Sequence, residues 1–159
     1  GWSYNALGGA ISLGLDENHA HVQPTGKYHY HGIPTKLVEL LDWSASKHSP
    51  LIGYAADGFP IYAVNGSVNG NVQTMTSSYR LKSGNRPGGS KPTGDYDGAF
   101  NEDYQYVEGA GSLDQCNGAY TVSKEYPSGT YAYFLTEEFP MVPRCFLGSP
   151  DRSFKPRRP

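Results

Sequence analysis

The sequence predicts a mainly β (β-rich α+β) single domain of short antiparallel strands and hairpins, with one short helix, long loops and one disulfide. Three observations carry this. Twenty Gly and 12 Pro cut the 159 residues into short pieces. Many of those pieces alternate or are rich in Tyr, Val, Ile and Phe, as strands are. One stretch alone has apolar residues at helical spacing. The length fits one domain and is sufficient to bury a core.

Taken in order, "HAHV" (19–22) and "KYHYH" (27–31) read as a first pair of strands. The helix follows in "PTKLVELLDW" (34–43), with Pro34 in the first turn and Leu37, Leu40 and Leu41 on one face. It is short and is expected to pack on a sheet. "LIGYAA" (51–56) and "FPIYAV" (59–64) form a second pair around Asp57-Gly58, and "SSYRLK", "YQYVEG", "AYTVS" and "GTYAYFLT" supply further strands. Residues 84–103 show no periodic apolar pattern and read as a long loop. Asp57 and Asp114 lie in turn-like "ADGF" and "LDQCNG", where local backbone hydrogen bonding accounts for them.

With 13 basic and 15 acidic residues, the net charge of −2 gives no general reason to expect nucleic acid or an anionic membrane as a partner. No run of eighteen apolar residues predicts a membrane span, and no signal-peptide pattern opens the chain, as expected of a mature exported protein and equally of a cytosolic one. Residues 1–150 form the expected domain. Residues 151–159 form a basic, Pro-rich tail in which Arg152, Lys155, Arg157 and Arg158 cluster, available to a matrix or mineral surface.

Cys116 and Cys145 are expected to form a disulfide, which places the protein in a secreted, extracellular setting. Catalytic thiols are the rival, but neither cysteine has a neighbouring His and no C-x-x-C spacing occurs. "NGS" at Asn65 is an N-glycosylation acceptor and would sit on a surface turn.

Four of the five histidines fall at alternating positions within "HAH" and "YHYHG". Strand periodicity places His19 and His21 on one face of their strand, and His29 and His31 on one face of theirs. The intervening "QPTGK" has Pro where a type I turn takes it and Gly where a left-handed residue follows, giving a three-residue loop of Pro24, Thr25 and Gly26. Gln23 then opposes Lys27, His21 opposes His29 and His19 opposes His31, with all four imidazoles on one side. Opposed Cβ atoms lie roughly 5 Å apart and alternate residues roughly 7 Å apart, so three or four nitrogens can converge on one ion.

Imidazole suits zinc, copper and nickel, and copper or zinc is the expected cofactor. A hydrogen-bonded imidazole cluster without metal is the alternative. Asp16 and Glu17 stand just before the first pair, to orient an imidazole or to cap the strand. His48 reads as an exposed loop residue, and Tyr28 and Tyr30, on the face opposite the histidines, read as core. "PTGKYHYH" (24–31) returns as "PSGTYAYF" (127–134), with Ala132 and Phe134 at the places of His29 and His31. The turn and its alternating tyrosines therefore do not need imidazoles.

With "HVQPTGKYHYHG", "SPLIGYAADGFPIY", "LDQCNGAY", "EYPSGTYAYFLTEEFPMVPRCF" and "GSPD" in this order, the chain resembles the family of exported proteins named after its YHYH motif. The resemblance spans nearly the whole chain and implies a single secreted domain. It carries over to His21, His29 and His31. Similar proteins often have His where this chain has Ala132, and Asn where it has His19.

Three functional readings follow. The first is a secreted copper- or zinc-binding domain, with His21, His29 and His31 as ligands and His19 as a fourth. The second is a structural extracellular protein that self-assembles or associates with a matrix or biomineral through its 13 tyrosines, small hydroxyl residues and basic tail. The third is a carbohydrate- or peptide-binding module. No G-x-S-x-G, H-E-x-x-H or phosphate-loop pattern assigns an enzyme activity.

Overall fold

A computed structural model describes residues 1–154. Ten strands of three to five residues are β1 (Ala20–Val22), β2 (Tyr28–Tyr30), β3 (Leu51–Tyr54), β4 (Pro60–Tyr62), β5 (Asn65–Val68), β6 (Asn71–Thr74), β7 (Tyr79–Leu81), β8 (Tyr104–Tyr106), β9 (Gly118–Thr121) and β10 (Thr130–Phe134). One helix, α1, spans Thr35–Leu40. The mainly β reading holds, as does each strand placed from sequence.

The largest sheet runs in the order β3-β4-β10-β9 and is antiparallel except for the β4/β10 pair. Its central strand, β10, buries Ala132, Tyr133 and Phe134 completely. Tyr62, Met75, Leu113, Ala132 and Phe134 form the core cluster, with Leu51, Val68 and Ala119 packed against it. Gly66 is required there: a Cβ would come within 2.7 Å of the Phe134 ring and 2.9 Å of Met75 Sδ. Three two-stranded hairpins, β1/β2, β5/β6 and β7/β8, complete the fold.

The β5/β6 hairpin was not foreseen. Its turn is Asn69-Gly70, both with positive φ (51° and 79°), the two-residue loop that Asn-Gly favours. That dipeptide was the available signal; β6 lacks the alternation that marks a strand because all four of its residues are exposed. Asn65 corrects a second expectation. It starts β5 with 2% exposure, and its Nδ2 donates to the carbonyls of Ser44, Ala45 and Lys47 at 3.4, 3.1 and 3.3 Å. A glycan would replace one of the two amide hydrogens that make these bonds, and the buried nitrogen has no room for it, so Asn65 is a structural residue.

The helix buries Val38 rather than the expected leucine face; Leu40 is 84% exposed. Six residues make less than two turns, so which side faces the protein is set by its anchors, Pro34 and Val38, both buried. His48 is likewise not an exposed loop residue. Its Nδ1 donates to Ser49 O (2.8 Å), its Nε2 lies 3.0 Å from Thr121 Oγ1, and its ring packs edge-on against Tyr62 at 4.5 Å. Asp114 does cap its own turn, accepting from the amides of Cys116 and Gly118. Asp57 instead reaches far along the chain, accepting from Tyr133 Oη (2.6 Å) and the Gly148 amide (3.0 Å).

The long 84–103 segment is ordered around a buried cation. Arg86 Nε and Nη2 donate to the two oxygens of Asp103 at 2.8 and 2.7 Å, Nη2 also contacts Asp97, and Nη1 donates to Thr93 O at 3.1 Å. The guanidinium lies 4.9 Å from the Phe100 ring centre. Asp103 is fully buried and accepts from the amides of Gly98 and Phe100 as well. One ion pair thus holds both ends of the loop that β7 and β8 close.

The expected disulfide links Cys116 to Cys145 across 29 residues and ties the C-terminal segment to the start of β9. Residues Lys155, Arg157 and Arg158 of the basic tail lie outside the described residues.

Two outcomes test these constraints. Replacing both cysteines by serine is expected to lower unfolding free energy by roughly 3–4 kcal/mol, the loop-closure value for a segment of this length, read by urea denaturation. Asp103→Asn is expected to cost about 3 kcal/mol or more, because it removes the buried charge that pairs bidentately with the guanidinium and leaves only the more exposed Asp97. The Arg86 bonds hold the Asp103 carboxyl down at about 2, against an ordinary 3.8. Its contribution is therefore present above about pH 4 and lost as pH falls toward 2, and the variant should show a flatter acid limb over that window.

Candidate metal centre

The β1/β2 hairpin is built as its sequence dictates. The Gly26 amide donates to Gln23 O (2.8 Å) to close the turn, the Gln23 amide donates to Lys27 O (2.9 Å), and Gly26 takes φ of 83°. Thus Pro24, Thr25 and Gly26 form the three-residue loop, and the register pairs Ala20 with Tyr30, His21 with His29 and Val22 with Tyr28. His21 and His29 face each other, and His31 follows on the same side of the second strand.

The three rings meet at centroid separations of 4.7 Å (His21/His29), 5.0 Å (His21/His31) and 4.6 Å (His29/His31). One nitrogen from each lies within 4.8 Å of the other two. His21 Nε2 and His31 Nε2 are 3.2 Å apart. The nitrogens turned away from the cluster have backbone partners: His21 Nδ1 is 2.8 Å from Leu13 O, and His29 Nδ1 is 3.4 Å from Lys27 O. A carbonyl only accepts, so His21 carries its proton on Nδ1 and presents a lone pair on Nε2. The 3.2 Å contact is then a hydrogen bond donated by His31 Nε2. Burial, followed by the neighbouring His29 and His21, pushes the His31 imidazole below its ordinary value, which favours the neutral ring.

His19 does not join them, contrary to the four-histidine expectation. The backbone pairing does extend one step, since the His31 amide donates to His19 O at 2.7 Å. But His19 has φ of 54°, outside the strand, and its Nδ1 bonds Ile33 O at 2.8 Å. Left-handed backbone breaks the alternation on which the prediction for this residue rested. Asn tolerates that conformation better than most residues.

Neither carboxylate orients an imidazole. Asp16 Oδ1 accepts from the amides of Asn18 (2.8 Å) and Ala20 (3.2 Å), and Oδ2 from Tyr28 Oη (2.6 Å). The Tyr28 hydroxyl holds the Asp16 carboxyl below the ordinary range. Asp16 is the strand cap. Glu17 is exposed and pairs with Lys36 at 3.6 Å. Their expected place as outer partners is taken by the carbonyls of Leu13 and Lys27, which no side-chain pattern announces. Tyr28 and Tyr30 are not core residues either: they are 47% and 42% exposed and pack edge-to-face at 5.4 Å. A two-stranded hairpin has no second layer over that face.

Among the described residues, no helix is long and apolar enough to cross a membrane. No curated protein and no solved structure matches the chain. One family model does, described as YHYH protein, and it matches residues 1–148, nearly all of the sequence including every residue of the imidazole cluster. The chain belongs to the YHYH protein family.

Proposed function

We propose that this protein is a secreted domain that binds a transition metal, copper or zinc, through His21, His29 and His31. The convergence of three imidazole nitrogens within 4.8 Å, with two of the opposite nitrogens on backbone carbonyls, carries the reading. A tetrahedral ion with bonds of about 2.0–2.1 Å needs ligand atoms about 3.3 Å apart. The His21/His31 separation of 3.2 Å already meets this. The His29 ring, whose outer bond is the longest, would have to rotate to close the remainder.

Each residue has a stated task. Leu13 O fixes the His21 tautomer so that its inner nitrogen is a lone pair, and depressed basicity keeps His31 neutral at physiological pH. For both Nε2 atoms to serve as ligands, the proton that His31 holds toward His21 would move to His31 Nδ1. Three nitrogen ligands leave a position for water or another donor, and the copper end of the affinity order makes copper and zinc the leading pair. The disulfide supports an oxidising, extracellular location.

A second reading, a structural protein associated with a matrix or mineral surface, is favoured by one observation. The outer face of the same hairpin presents the half-exposed rings of Tyr28 and Tyr30, with the Tyr28 hydroxyl held by Asp16. Assembly of that kind should survive chelators.

The discriminating measurement is calorimetric titration of metal-stripped protein with copper(II) and zinc(II), with melting curves before and after chelation. One ion per chain is expected, and excess metal at about 100 times the dissociation constant should add roughly 2.7 kcal/mol of stability. Alanine at His21, His29 or His31 should weaken binding by more than the roughly 10- to 100-fold that loss of an outer partner costs. His19→Asn, which preserves the left-handed backbone, should leave affinity unchanged. Sub-stoichiometric uptake with a melting temperature indifferent to chelator would remove the metal reading and leave the structural one.

A further inference from the structure

A concavity separate from the imidazole cluster lies behind the hairpin. It has a volume of about 380 Å³ and apolar walls that include Leu7, Ile33, Val38, Trp43 and Met141. That volume falls in the range of small-molecule sites, about 300–1,000 Å³. None of His21, His29 and His31 lines it.

Its polar groups share one character. Thr35 Oγ1 donates to Ile33 O (3.4 Å) and Thr136 Oγ1 to Glu138 O (2.9 Å), so both hydroxyl protons are used internally. His19 also lines the cavity, and with Nδ1 protonated toward Ile33 O its Nε2 is a lone pair. The other charged lining residues are Glu39 and Glu137. Among the described residues no Lys or Arg lines the cavity. Lys36 pairs with Glu39 at 3.5 Å, which offsets that charge, whereas Glu137 makes no ion pair among the described residues. The lining residues therefore offer acceptors and one carboxylate without an ion pair, together with Trp43, a ring type that attracts cations.

The wall is also held in an uncommon backbone state. Met141 has φ of 60°, a conformation seldom taken by a long unbranched side chain. It is fixed by its amide to Glu138 O (3.0 Å) and by its carbonyl, which accepts from the Thr136 amide (3.1 Å). Local strain of this kind collects at ligand sites, where the surroundings hold it.

We infer that this cavity binds a small organic cation, an ammonium or amidinium group on an apolar body of one or two rings. The body lies against Ile33, Val38, Trp43 and Met141, and the charged head donates to Glu137 and to His19 Nε2. This site is independent of the metal reading.

The test uses the full chain and three probes that share one ring: 2-phenylethylammonium, neutral 2-phenylethanol and anionic phenylacetate. Binding is followed by amide chemical shifts, and by Trp43 fluorescence in a Trp2→Phe background, since the chain has two tryptophans. The ammonium should bind saturably with a dissociation constant on the order of a millimolar, as a ligand of that size permits, and more tightly than the alcohol, with the acid weakest. Glu137→Gln, a change at an exposed carboxylate, should weaken the ammonium about five- to tenfold and leave the alcohol unchanged. Glu39→Gln, already offset by Lys36, should have a smaller effect in the same direction. His21→Ala should alter none of these values. Absence of saturable ammonium binding up to about 20 mM, equal binding of the three probes, or an unchanged ammonium affinity in Glu137→Gln would each overturn the assignment.

Discussion

A buried backbone amide or carbonyl must find a partner, and this chain meets that demand with few ladder bonds because its strands are only three to five residues long. The remainder falls on buried side chains. Asn65 serves three carbonyls of the 44–47 segment, Asn117 donates to Phe134 O, and Ser78 joins Gly111 N to Leu113 O. Thr121 Oγ1 both accepts from the Ser67 amide and donates to the Ser67 carbonyl. Buried polar residues in this protein are therefore first of all substitutes for secondary structure. A functional assignment to one of them needs more than burial.

The imidazole cluster is not accounted for by that demand. No backbone donor within the cluster needs three inward-facing nitrogens, and the bonds that His21 and His29 make to carbonyls use their outward ones. What brings the rings together is the length of one loop. Three residues between Gln23 and Lys27 put His21 against His29; a loop one residue shorter would set each histidine against a residue of the opposite face. Loop length also limits the site, because it fixes register only as far as the chain stays extended. At His19 the left-handed backbone ends that control, and the ring turns to Ile33 instead.

Legibility in the sequence follows the same division. Features set within a few residues were readable: the Pro24–Gly26 turn, the His21/His29 register, the strands with alternating or β-branched residues, and the turn role of Asp114. Features set by distant parts of the chain were not. Nothing near Arg86 announces that Asp103 will meet it, and nothing near Asn65 shows that the 44–47 carbonyls will close on its amide. Tyr28 and Tyr30 were misplaced for a related reason. Alternation reveals that a strand has two faces, but only the packing of other elements decides whether the second face is covered. The Asn69-Gly70 turn stands apart, since its local signal was present and β6 simply lacked the apolar residues that draw attention to a strand.

The repeated turn offers an internal control on what the histidines are for. Gly129 takes φ of 83°, as Gly26 does, and its amide donates to Tyr126 O at 2.9 Å just as the Gly26 amide donates to Gln23 O. The following Tyr-x-Tyr strands also correspond, yet β10 carries Ala132 and Phe134 where the first copy has His29 and His31, and both are fully buried. A turn of this type accepts small and large apolar residues at those positions, so folding does not demand imidazole. Grouping three of them moreover has a cost, because partial burial and the neighbouring His29 and His21 depress the basicity of His31. Mutually close, and with two of them oriented by carbonyls, the rings have the properties that make a nitrogen a good ligand and a poor surface residue. A cation at their centre would satisfy lone pairs that the protein itself leaves largely unused, which is the physical reason to read the hairpin as a site rather than as ornament on the sheet.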